Sequence, residues 1–269
     1  MKKFWKCILW AVLISVVLWV FWANTALEMN TIVLQEENLP LGFDGFRIAH
    51  ISDFHSAVEM TDSVISKLES AKPDMICITG DLISSGDKTV ETALNFAGKA
   101  AEIAPCYFVT GNHENMVSEA LYTALLTGLK SKGVIALADE QVILEKDDAQ
   151  IALVGHFWGD THDVGNLSDF TGYRILLSHQ PEAIADYAAA GYELVLAGHA
   201  HGGQFRLPFV GGVYAPGQGI FPEYDAGVHS RECTDMVISR GIGNSVIPLR
   251  FHNRPEVIVV ELKCLTSAA

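Results

Sequence analysis

The most constraining feature of this chain is a buried-strand pattern that ends in a carboxylate. Met75–Ile78 is an uninterrupted apolar run that is entered through Pro73-Asp74 and left through Thr79-Gly80-Asp81. A run of this length without polar alternation predicts a strand buried on both faces, as in a parallel sheet. Asp81 is then expected just beyond the strand's carboxyl end, which is the edge where open α/β sheets bind ligands.

Strands and helices alternate through the first half of the chain. The expected order is a strand at Phe46–Ser52, a helix at Thr61–Ala71, the strand before Asp81, a helix at Asp87–Ala104, a strand at Cys106–Thr110 and a helix at Ser118–Lys132. This order predicts right-handed crossovers and a parallel sheet. A chain of 269 residues is long enough for one large domain with a full core.

The flanking regions predict further strands. They are Asn30–Gln35, a hairpin of Gln141–Leu144 with Ile151–His156, Arg174–Ser178, Glu193–Ala197, and finally Asp235–Arg240 and Val257–Leu262, with a short helix at Glu182–Ala190. The stretch from Pro208 to Gly227 is rich in Gly, Pro and aromatic residues, which indicates a long functional loop. If the last two strands pair as an antiparallel hairpin, Cys233 lies opposite Cys264, and we expect a disulfide in an oxidising compartment.

Metal-capable side chains follow five of the predicted strands. They are Asp53, His55, Asp81, Asn112, His179, His199 and His201. In extended backbone, residues two apart share a face, so Asp53 is expected beside His55 and His199 beside His201. One ion cannot use seven such ligands, whereas two ions that share Asp81 have about four each. Mixed oxygen and nitrogen ligation suits Mn, Fe or Zn better than Mg or Ca.

This ligand set predicts hydrolysis of a phosphate ester. Two divalent ions about 3.5–4 Å apart polarise a phosphoryl oxygen and lower the pKa of a bridging water, whose hydroxide is the nucleophile. His113 follows a ligand but is displaced by one residue, so we expect it to protonate the leaving oxygen or to stabilise the phosphoryl group. The remaining candidates His156, His162 and His229 lack a strand-end context and are expected at the surface or behind the ligands.

The amino-terminal segment predicts a membrane anchor. Lys2, Lys3 and Lys6 precede an apolar run of about 17 residues, Cys7–Ala23, which is near the short limit for a spanning helix. A cleaved signal peptide is the alternative, but Phe21 spoils a small-x-small cleavage site at Ala23. We therefore divide the chain into a stub and anchor at 1–25, a linker with the first strand at 26–45, and a phosphoesterase domain at 46–269.

The charge distribution predicts both topology and partners. The cations precede the anchor while Glu28, Glu36 and Glu37 follow it, so the body of the protein is expected on the non-cytoplasmic side of the cell membrane. The formal net charge is −14. Such a surface repels phosphate backbones, so no nucleic-acid partner is expected.

The order and spacing of the motifs resemble the signature of the calcineurin-like metallophosphoesterase superfamily. The matching segments are Asp53-x-His55, Gly80-Asp81, Gly111-Asn112-His113-Glu114, His179 and Gly198-His199-Ala200-His201. The segments around Asn38-Leu39-Pro40, Gly202-Gly203-Gln204 and Pro248–Phe251 are similar in sequence to one branch of this superfamily, the membrane-anchored YkuE- and YaeI-like phosphohydrolases. The resemblance covers about residues 30–263 and implies an α/β fold, a four-layer α/β/β/α sandwich of two mixed sheets.

The resemblance also implies an assignment of the site. One metal would be held by Asp53, His55, Asp81 and His201, and the other by Asp81, Asn112, His179 and His199, with His113 as the catalytic histidine. Phe54, Glu114 and Ala200 stand where Leu, Asp and Thr are commoner in the family. None of these departures removes a ligand.

The hypothesis is a membrane-tethered phosphoesterase with two divalent metal ions. A diester is favoured over a monoester because no compact Arg cluster for a phosphate dianion is visible, Arg240 and Arg250 being the candidates. Tethering points to a lipid-linked or envelope substrate. One alternative is pyrophosphate cleavage in a nucleotide-linked lipid such as UDP-diacylglucosamine, but the predicted outward topology disfavours it. The other alternative is a non-catalytic metal-binding scaffold, which the complete ligand set disfavours.

Overall fold

A computed structural model describes residues 2–159, 161, 163–244 and 249–265; His162 lies outside these ranges. The helices are α1 (Lys2–Thr25), α2 (Thr61–Ala71), α3 (Glu91–Ala101), α4 (Asn112–Asn115), α5 (Glu119–Ser131) and α6 (Ile184–Ala189). The strands are β1 (Glu28–Glu36), β2 (Arg47–Ile51), β3 (Met75–Thr79), β4 (Cys106–Val109), β5 (Val134–Ala136), β6 (Glu140–Lys146), β7 (Ala149–Gly155), β8 (Arg174–Leu177), β9 (Leu194–Ala197), β10 (Arg206–Leu207), β11 (Gly211–Gly212), β12 (Tyr214–Ala215), β13 (Gly219–Ile220), β14 (Gly227–Arg231), β15 (Thr234–Ile238) and β16 (Glu256–Cys264).

Two mixed sheets form the body of the protein. The first has the order β1-β16-β2-β3-β4-β5, and the second β14-β15-β9-β8-β7-β6. In the first sheet, β2, β3, β4 and β5 run parallel. In the second, β7, β8, β9 and β15 run parallel. The carboxyl ends of the central strands of each sheet therefore lie at one edge, which is where an α/β sheet places its site.

Three apolar layers show that the sheets stack between helices. One face of the first sheet packs Ile76 and Phe108 against the helices α2, α3 and α5. Its other face packs residues such as Ile48 against Leu153 and Leu196 of the second sheet. The outer face of the second sheet packs against α6 and the residues next to it, including Tyr187. The expected four-layer α/β/β/α arrangement is therefore confirmed, with α6 and neighbouring loops as a thin fourth layer.

The predicted hairpin of the last two strands is wrong. β15 pairs with β14 and β9 in the second sheet, whereas β16 pairs with β1 and β2 in the first. Both strands are almost wholly buried, so each takes an interior position in its own sheet instead of pairing with the other. The thiols of Cys233 and Cys264 are accordingly free, and the expected disulfide is absent.

Helix α1 contains the predicted anchor and joins the body directly. It is the one helix in the described part of the chain that is long and apolar enough to cross a membrane. Most of its side chains are exposed, and only Ala26 and Leu27 separate it from β1. At its end, the Asn24 Nδ2–H donates to the Arg250 carbonyl at 3.2 Å, and the Asn24 Oδ1 accepts from the Arg250 N–H at 2.8 Å.

Glu36, at the end of β1, is expected to make stability pH-dependent. The pKa of its carboxyl is raised to about 7 from an ordinary value of 4.5, mainly by burial and to a smaller extent by repulsion from Asp235. Between these values the folded chain holds a proton that the unfolded chain releases, so the stability contributed by Glu36 falls as pH rises from about 4.5 to 7.

The Glu36→Gln variant removes this titration, so its thermal midpoint should gain on the wild type as pH rises from 5 to 8. Thermal unfolding of the detergent-solubilised chain at both pH values measures the gain. Glu37→Gln, an exposed neighbour, is the control. An equal pH response in wild type and Glu36→Gln would contradict the prediction.

Candidate active site

The two sheets bring the predicted site residues to one edge. The segments after β2, β3 and β4 carry Asp53, His55, Asp81, Asn112 and His113, and those after β8 and β9 carry His179, His199 and His201. All are buried except Asn112 and His113, which are half-buried. The structure therefore collects in one place side chains from segments up to 148 positions apart.

Asp53, His55, Asp81 and His201 form a first group. Each offers one ligand atom, and these atoms lie within 4.8 Å of one another. The His201 Nε2 is 3.2 Å from the Asp53 Oδ1 and also 3.2 Å from the His55 Nε2. The His55 Nε2 is 3.6 Å from the Asp81 Oδ2. Four donor atoms thus surround a point that a single cation could occupy.

A second group shares Asp81 with the first. It consists of Asp81, His179 and His199, again with ligand atoms within 4.8 Å of one another. The His179 Nε2 lies 3.3 Å from the Asp81 Oδ2. Asn112 belongs to the same strand-end cluster, since its neighbour His113 donates its backbone N–H to the Asp81 Oδ1 at 2.9 Å. The carboxylate of Asp81 lies where the two groups meet.

The backbone at these residues is left-handed and not extended as expected. Positive φ angles occur at Asp53 (51°), His55 (48°), Asp81 (51°), His199 (68°) and His201 (47°). Non-glycine residues rarely adopt this conformation, and it concentrates at functional sites. The neighbouring side chains do meet, but tight turns and not strand alternation bring them together.

Two glycines permit this close packing. A Cβ atom on Gly111 would lie 2.3 Å from the Asp81 Oδ1, and one on Gly198 would lie 1.8 Å from the Ser52 Oγ. Any side chain at either position would displace a strand end that carries candidate ligands. The Gly residues in the two motifs are therefore required by space at the site.

The residues present fit a pair of cations. The Asp53 Oδ1, Asn112 Oδ1 and His179 Nε2 atoms are buried and have no hydrogen-bond partner among the described residues. Burial lowers the pKa of His55 to about 4 and that of His199 to about 3. Both imidazoles are therefore neutral at physiological pH, which is the form that binds metal.

The carboxylates and His179 differ in their electrostatics. Burial raises the pKa of Asp53 to about 6. For Asp81, burial alone would raise the pKa, but the neighbouring His179 and His55 lower it well below its usual range. For His179, burial is outweighed by Asp81 and Asp53, which raise its pKa to about 10. Asp81 and His179, 3.3 Å apart, thus stabilise each other's charged forms.

His113 is oriented by a backbone hydrogen bond. The Ser85 N–H donates to the His113 Nδ1 at 2.9 Å. Since Nδ1 accepts, the neutral ring carries its proton on Nε2. That atom lies 4.0 Å from the Asp81 Oδ2, and His113 is one of the residues that line the cavity described below. His113 therefore presents a donor to a group bound beside Asp81.

Glu114 organises the site and was noted in the sequence only as a departure from Asp. Its buried carboxylate accepts backbone N–H groups from Asp81 at 2.9 Å, Ile83 at 3.1 Å and Gly111 at 2.7 Å. It thereby ties the turn after β3 to the turn after β4. Its place directly after His113 in the motif was the signal that could have revealed this role.

Replacing Glu114 by Gln should destabilise the fold. The amide keeps one acceptor oxygen but turns an NH₂ group toward N–H donors, which should cost about 1–3 kcal/mol of unfolding free energy. Urea unfolding of the full chain in detergent measures this loss. Glu119→Gln, on the exposed first turn of α5, should remain within about 0.5 kcal/mol of wild type. Equal midpoints for the two variants would contradict the assigned role.

Trp158 is a further site residue that sequence reasoning missed. Its ring centroid lies 4.7 Å from that of His199 and 5.6 Å from that of His179. It was the one Trp outside the amino-terminal segment, which was the available signal. His156 belongs to neither group and its Nδ1 is hydrogen-bonded to the Asp139 Oδ1 at 3.0 Å, while His229 packs on Tyr224.

A cavity of ≈ 540 Å³ opens above the two groups. Its polar lining residues include Asp81, Asn112, His113, His199 and His201, and its apolar ones include Met116, Phe205, Tyr214 and Pro216. This volume lies within the range of small-molecule sites. The fold and site together define a metallophosphoesterase: a two-sheet sandwich with two overlapping Asp/His groups at the shared strand ends.

Comparison with known proteins identifies the family. The chain belongs to the calcineurin-like phosphoesterase family, whose model matches residues 46–203. It is 30% identical to "uncharacterized metallophosphoesterase YkuE" of Bacillus subtilis, over 88% of this chain and 86% of that protein. It is also 30% identical to "phosphodiesterase YaeI" of Escherichia coli, over 81% of this chain and 82% of that protein.

Two further similarities concern the membrane and the fold. A zebrafish "transmembrane protein with metallophosphoesterase domain" is 29% identical over 94% of this chain and 62% of its own length. With α1, this relative suggests a membrane protein. Among solved structures, Haemophilus influenzae NAD nucleotidase has the same fold, with a TM-score of 0.52 and 17% identity over 73% of this chain and 45% of that one.

Proposed function

We propose that this protein is a membrane-tethered phosphodiesterase that uses two divalent metal ions. The observation that carries the proposal is the position of Asp81, whose carboxylate belongs to both ligand groups. A shared carboxylate allows two ions to sit close enough to act on one phosphate. Mn, Fe or Zn suit the mixture of carboxylate, amide and imidazole ligands.

The ligands divide between the ions as follows. One ion would be held by Asp53, His55, Asp81 and His201, and the other by Asp81, Asn112, His179 and His199. Ions at these positions supply Lewis-acid activation of water and charge stabilisation at the phosphoryl group. The buried and unpartnered ligand atoms described above support this assignment.

The chain's own residues would position the ester and move a proton. His113 lines the cavity, and its Nε2–H would donate to the leaving oxygen as the bond from that oxygen to phosphorus breaks. The hydrogen bond from Ser85 keeps that proton on Nε2. Trp158 covers His179 and His199 on one side, which limits the access of bulk water there.

A diester fits the cavity better than a monoester. A terminal phosphate dianion is usually held by Arg or Lys, and neither lines the cavity among the residues that the structure describes. Both Arg candidates have other partners: Arg240 pairs with Glu28 and Glu256, and the buried Arg250 donates to the carbonyls of Arg240 and Gly243. The name of the YaeI relative supports the same preference.

The predicted anchor supports a substrate that is found at the membrane. The lysines before α1 and the acidic residues after it favour an active site on the non-cytoplasmic side, where a lipid-linked or envelope phosphodiester would be met. Protease treatment of intact spheroplasts tests the side. Digestion of the body from outside, with protection of the short amino-terminal stub, is the expected pattern, and a fully protected body would reject it.

The reaction is tested with two chromogenic esters. The full chain in detergent, stripped of metal with chelator and reloaded with Mn or Zn, should hydrolyse bis-p-nitrophenyl phosphate faster than p-nitrophenyl phosphate. Faster hydrolysis of the monoester would overturn the diester preference alone. Hydrolysis of neither ester under any metal would favour the non-catalytic scaffold.

A further inference from the structure

Besides helix α1, the protein exposes another apolar surface, which lies beside the cavity. Large apolar side chains project into solvent from the segment that carries β10 to β13; we call it the loop surface, and it consists of Leu207, Phe209, Val210, Ile220 and Phe221. Phe209 is completely exposed, and Ile220 is 73% exposed. Five large exposed apolar side chains in one segment of 15 residues are more than the scattered single ones of an ordinary surface, and such concentrations mark interaction surfaces.

The same segment also forms one wall of the active-site cavity. Phe205, Tyr214 and Pro216 line the cavity together with His113 and His199. The Val213 N–H donates to the carbonyls of Gly203 and Phe205, so the segment is fastened to the turn that carries His201. Whatever the loop surface contacts therefore lies next to the mouth of the cavity.

Contacts with helix α1 determine how deep this segment would lie in a membrane that α1 spans. Phe205 pairs with Phe251 as an isolated bridge, and the Arg206 N–H donates to the Phe251 carbonyl at 2.9 Å. The Phe251 ring lies 4.9 Å from the ring of Trp19 in α1. Trp19 is four residues inside the end of the apolar run at Ala23, about 6 Å along the helix axis. Helical side chains lean toward the amino terminus, which places the Trp19 ring deeper still.

The end of α1 is held firmly on the body. Besides the two Asn24–Arg250 hydrogen bonds, the Arg254 guanidinium lies 4.5 Å above the Trp22 ring. Arg254 also donates to the Ala26 carbonyl at 2.7 Å and pairs with Glu28 at 2.7 Å. If α1 spans a bilayer, the segment around Phe251 and Arg206 is consequently held at the level of the interface.

We infer that the loop surface inserts into the bilayer interface and turns the cavity toward the membrane, so that the substrates are phosphodiesters of membrane amphiphiles. This inference rests on the proposed phosphodiesterase activity for its substrate but not for its membrane contact. The contact is apolar: Arg206, the cation in this segment, is paired with Asp225 at 3.0 Å. The acidic net charge of the chain likewise offers no attraction to anionic headgroups.

The membrane contact is tested without any catalytic readout. Cys7, Cys233 and Cys264 are replaced by Ser, Val210 is changed to Cys, and an environment-sensitive nitrobenzoxadiazole label is attached to the full chain in phosphatidylcholine vesicles. Lipids with a spin label near the headgroup should quench this fluorophore. The matched control is Leu41→Cys, an exposed site beside the β6–β7 turn at the opposite end of the sheets. Equal and weak quenching at both sites would overturn the inference.

The substrate class is tested with the variant F209S/F221S. Its hydrolysis of soluble bis-p-nitrophenyl phosphate should match that of wild type, since neither side chain lines the cavity. Its hydrolysis of a chromogenic phosphodiester with an acyl chain, embedded in the same vesicles, should fall at least tenfold, which corresponds to about 1.4 kcal/mol. An equal rate on the embedded ester would overturn the substrate class.

The outcomes separate the inference from the proposed function. A wild type that is inactive on the soluble ester defeats the phosphodiesterase proposal but leaves the quenching test intact. Chemical cross-linking of the same samples examines a second copy of the chain as the occupant of the loop surface. Dimers lost in F209S/F221S, together with an unquenched label at 210, would assign the surface to self-association and overturn membrane insertion.

Discussion

Asp81→Asn is expected to lower metal-dependent ester hydrolysis by more than about 100-fold, because even the loss of an outer partner of a metal ligand costs 10–100-fold. Asp81 lies in both ligand groups, with its Oδ2 3.6 Å from the His55 Nε2 and 3.3 Å from the His179 Nε2. An amide has one acceptor oxygen and no charge, so it cannot join two cations. The variant should therefore also retain less than about half of the wild-type metal.

Metal content and rate are measured on the same preparation. Inductively coupled plasma mass spectrometry after desalting gives the metal per chain, and bis-p-nitrophenyl phosphate gives the rate. The control is Asp62→Asn, whose side chain is 94% exposed on α2 and whose loss should change neither quantity. A variant at position 81 that kept both ions and full activity would show that the carboxylate is not a bridge.

His113→Ala is expected to lower kcat by about 10²–10⁴-fold while metal content stays at the wild-type level. The ring lies beside the ligand groups, and the Ser85 N–H sets its proton on Nε2. A residue that protonates the leaving oxygen matters most when that oxygen is a poor leaving group. The loss should therefore be larger for a phenyl or alkyl phosphodiester than for bis-p-nitrophenyl phosphate.

Paired rate measurements on the two esters test this role. A loss of the same size for both would mean that His113 stabilises the phosphoryl oxygens and does not donate a proton. Loss of metal from the variant would instead make the ring a ligand. His229→Ala, whose ring packs on Tyr224 away from the site, is the control for a general effect of removing an imidazole.

The sequence was most informative where strands are buried on both faces. β3 was expected from Met75–Ile78, and β8 and β9 from similar runs, because continuous apolar stretches bounded by Gly or Pro have few alternatives to a buried strand. β14 was missed, since its residues are largely exposed and polar, as in an edge strand. Without β14, the pairing of β15 could not be deduced, and the hairpin prediction failed.

The candidate ligands could be selected from the sequence because they follow predicted strands, and parallel strands deliver their carboxyl ends to one edge. The sequence could not show how the backbone turns there. Asp53 and His55 converge through left-handed residues, and Phe54 between them stacks on Phe96 at 4.2 Å. The contact between Trp158 and His199 joins segments from two different strand ends, which no local pattern encodes.

The sequence by itself determined the class of fold, the chemical types of the ligands and the presence of an apolar amino-terminal helix. These follow from local periodicity and residue chemistry. Only the tertiary structure decided which strand enters which sheet, which carboxylate lies in both ligand groups, and how α1 sits against Phe251 beside the cavity. Those features depend on contacts between residues far apart in the chain, and such contacts are fixed by packing and not by local sequence.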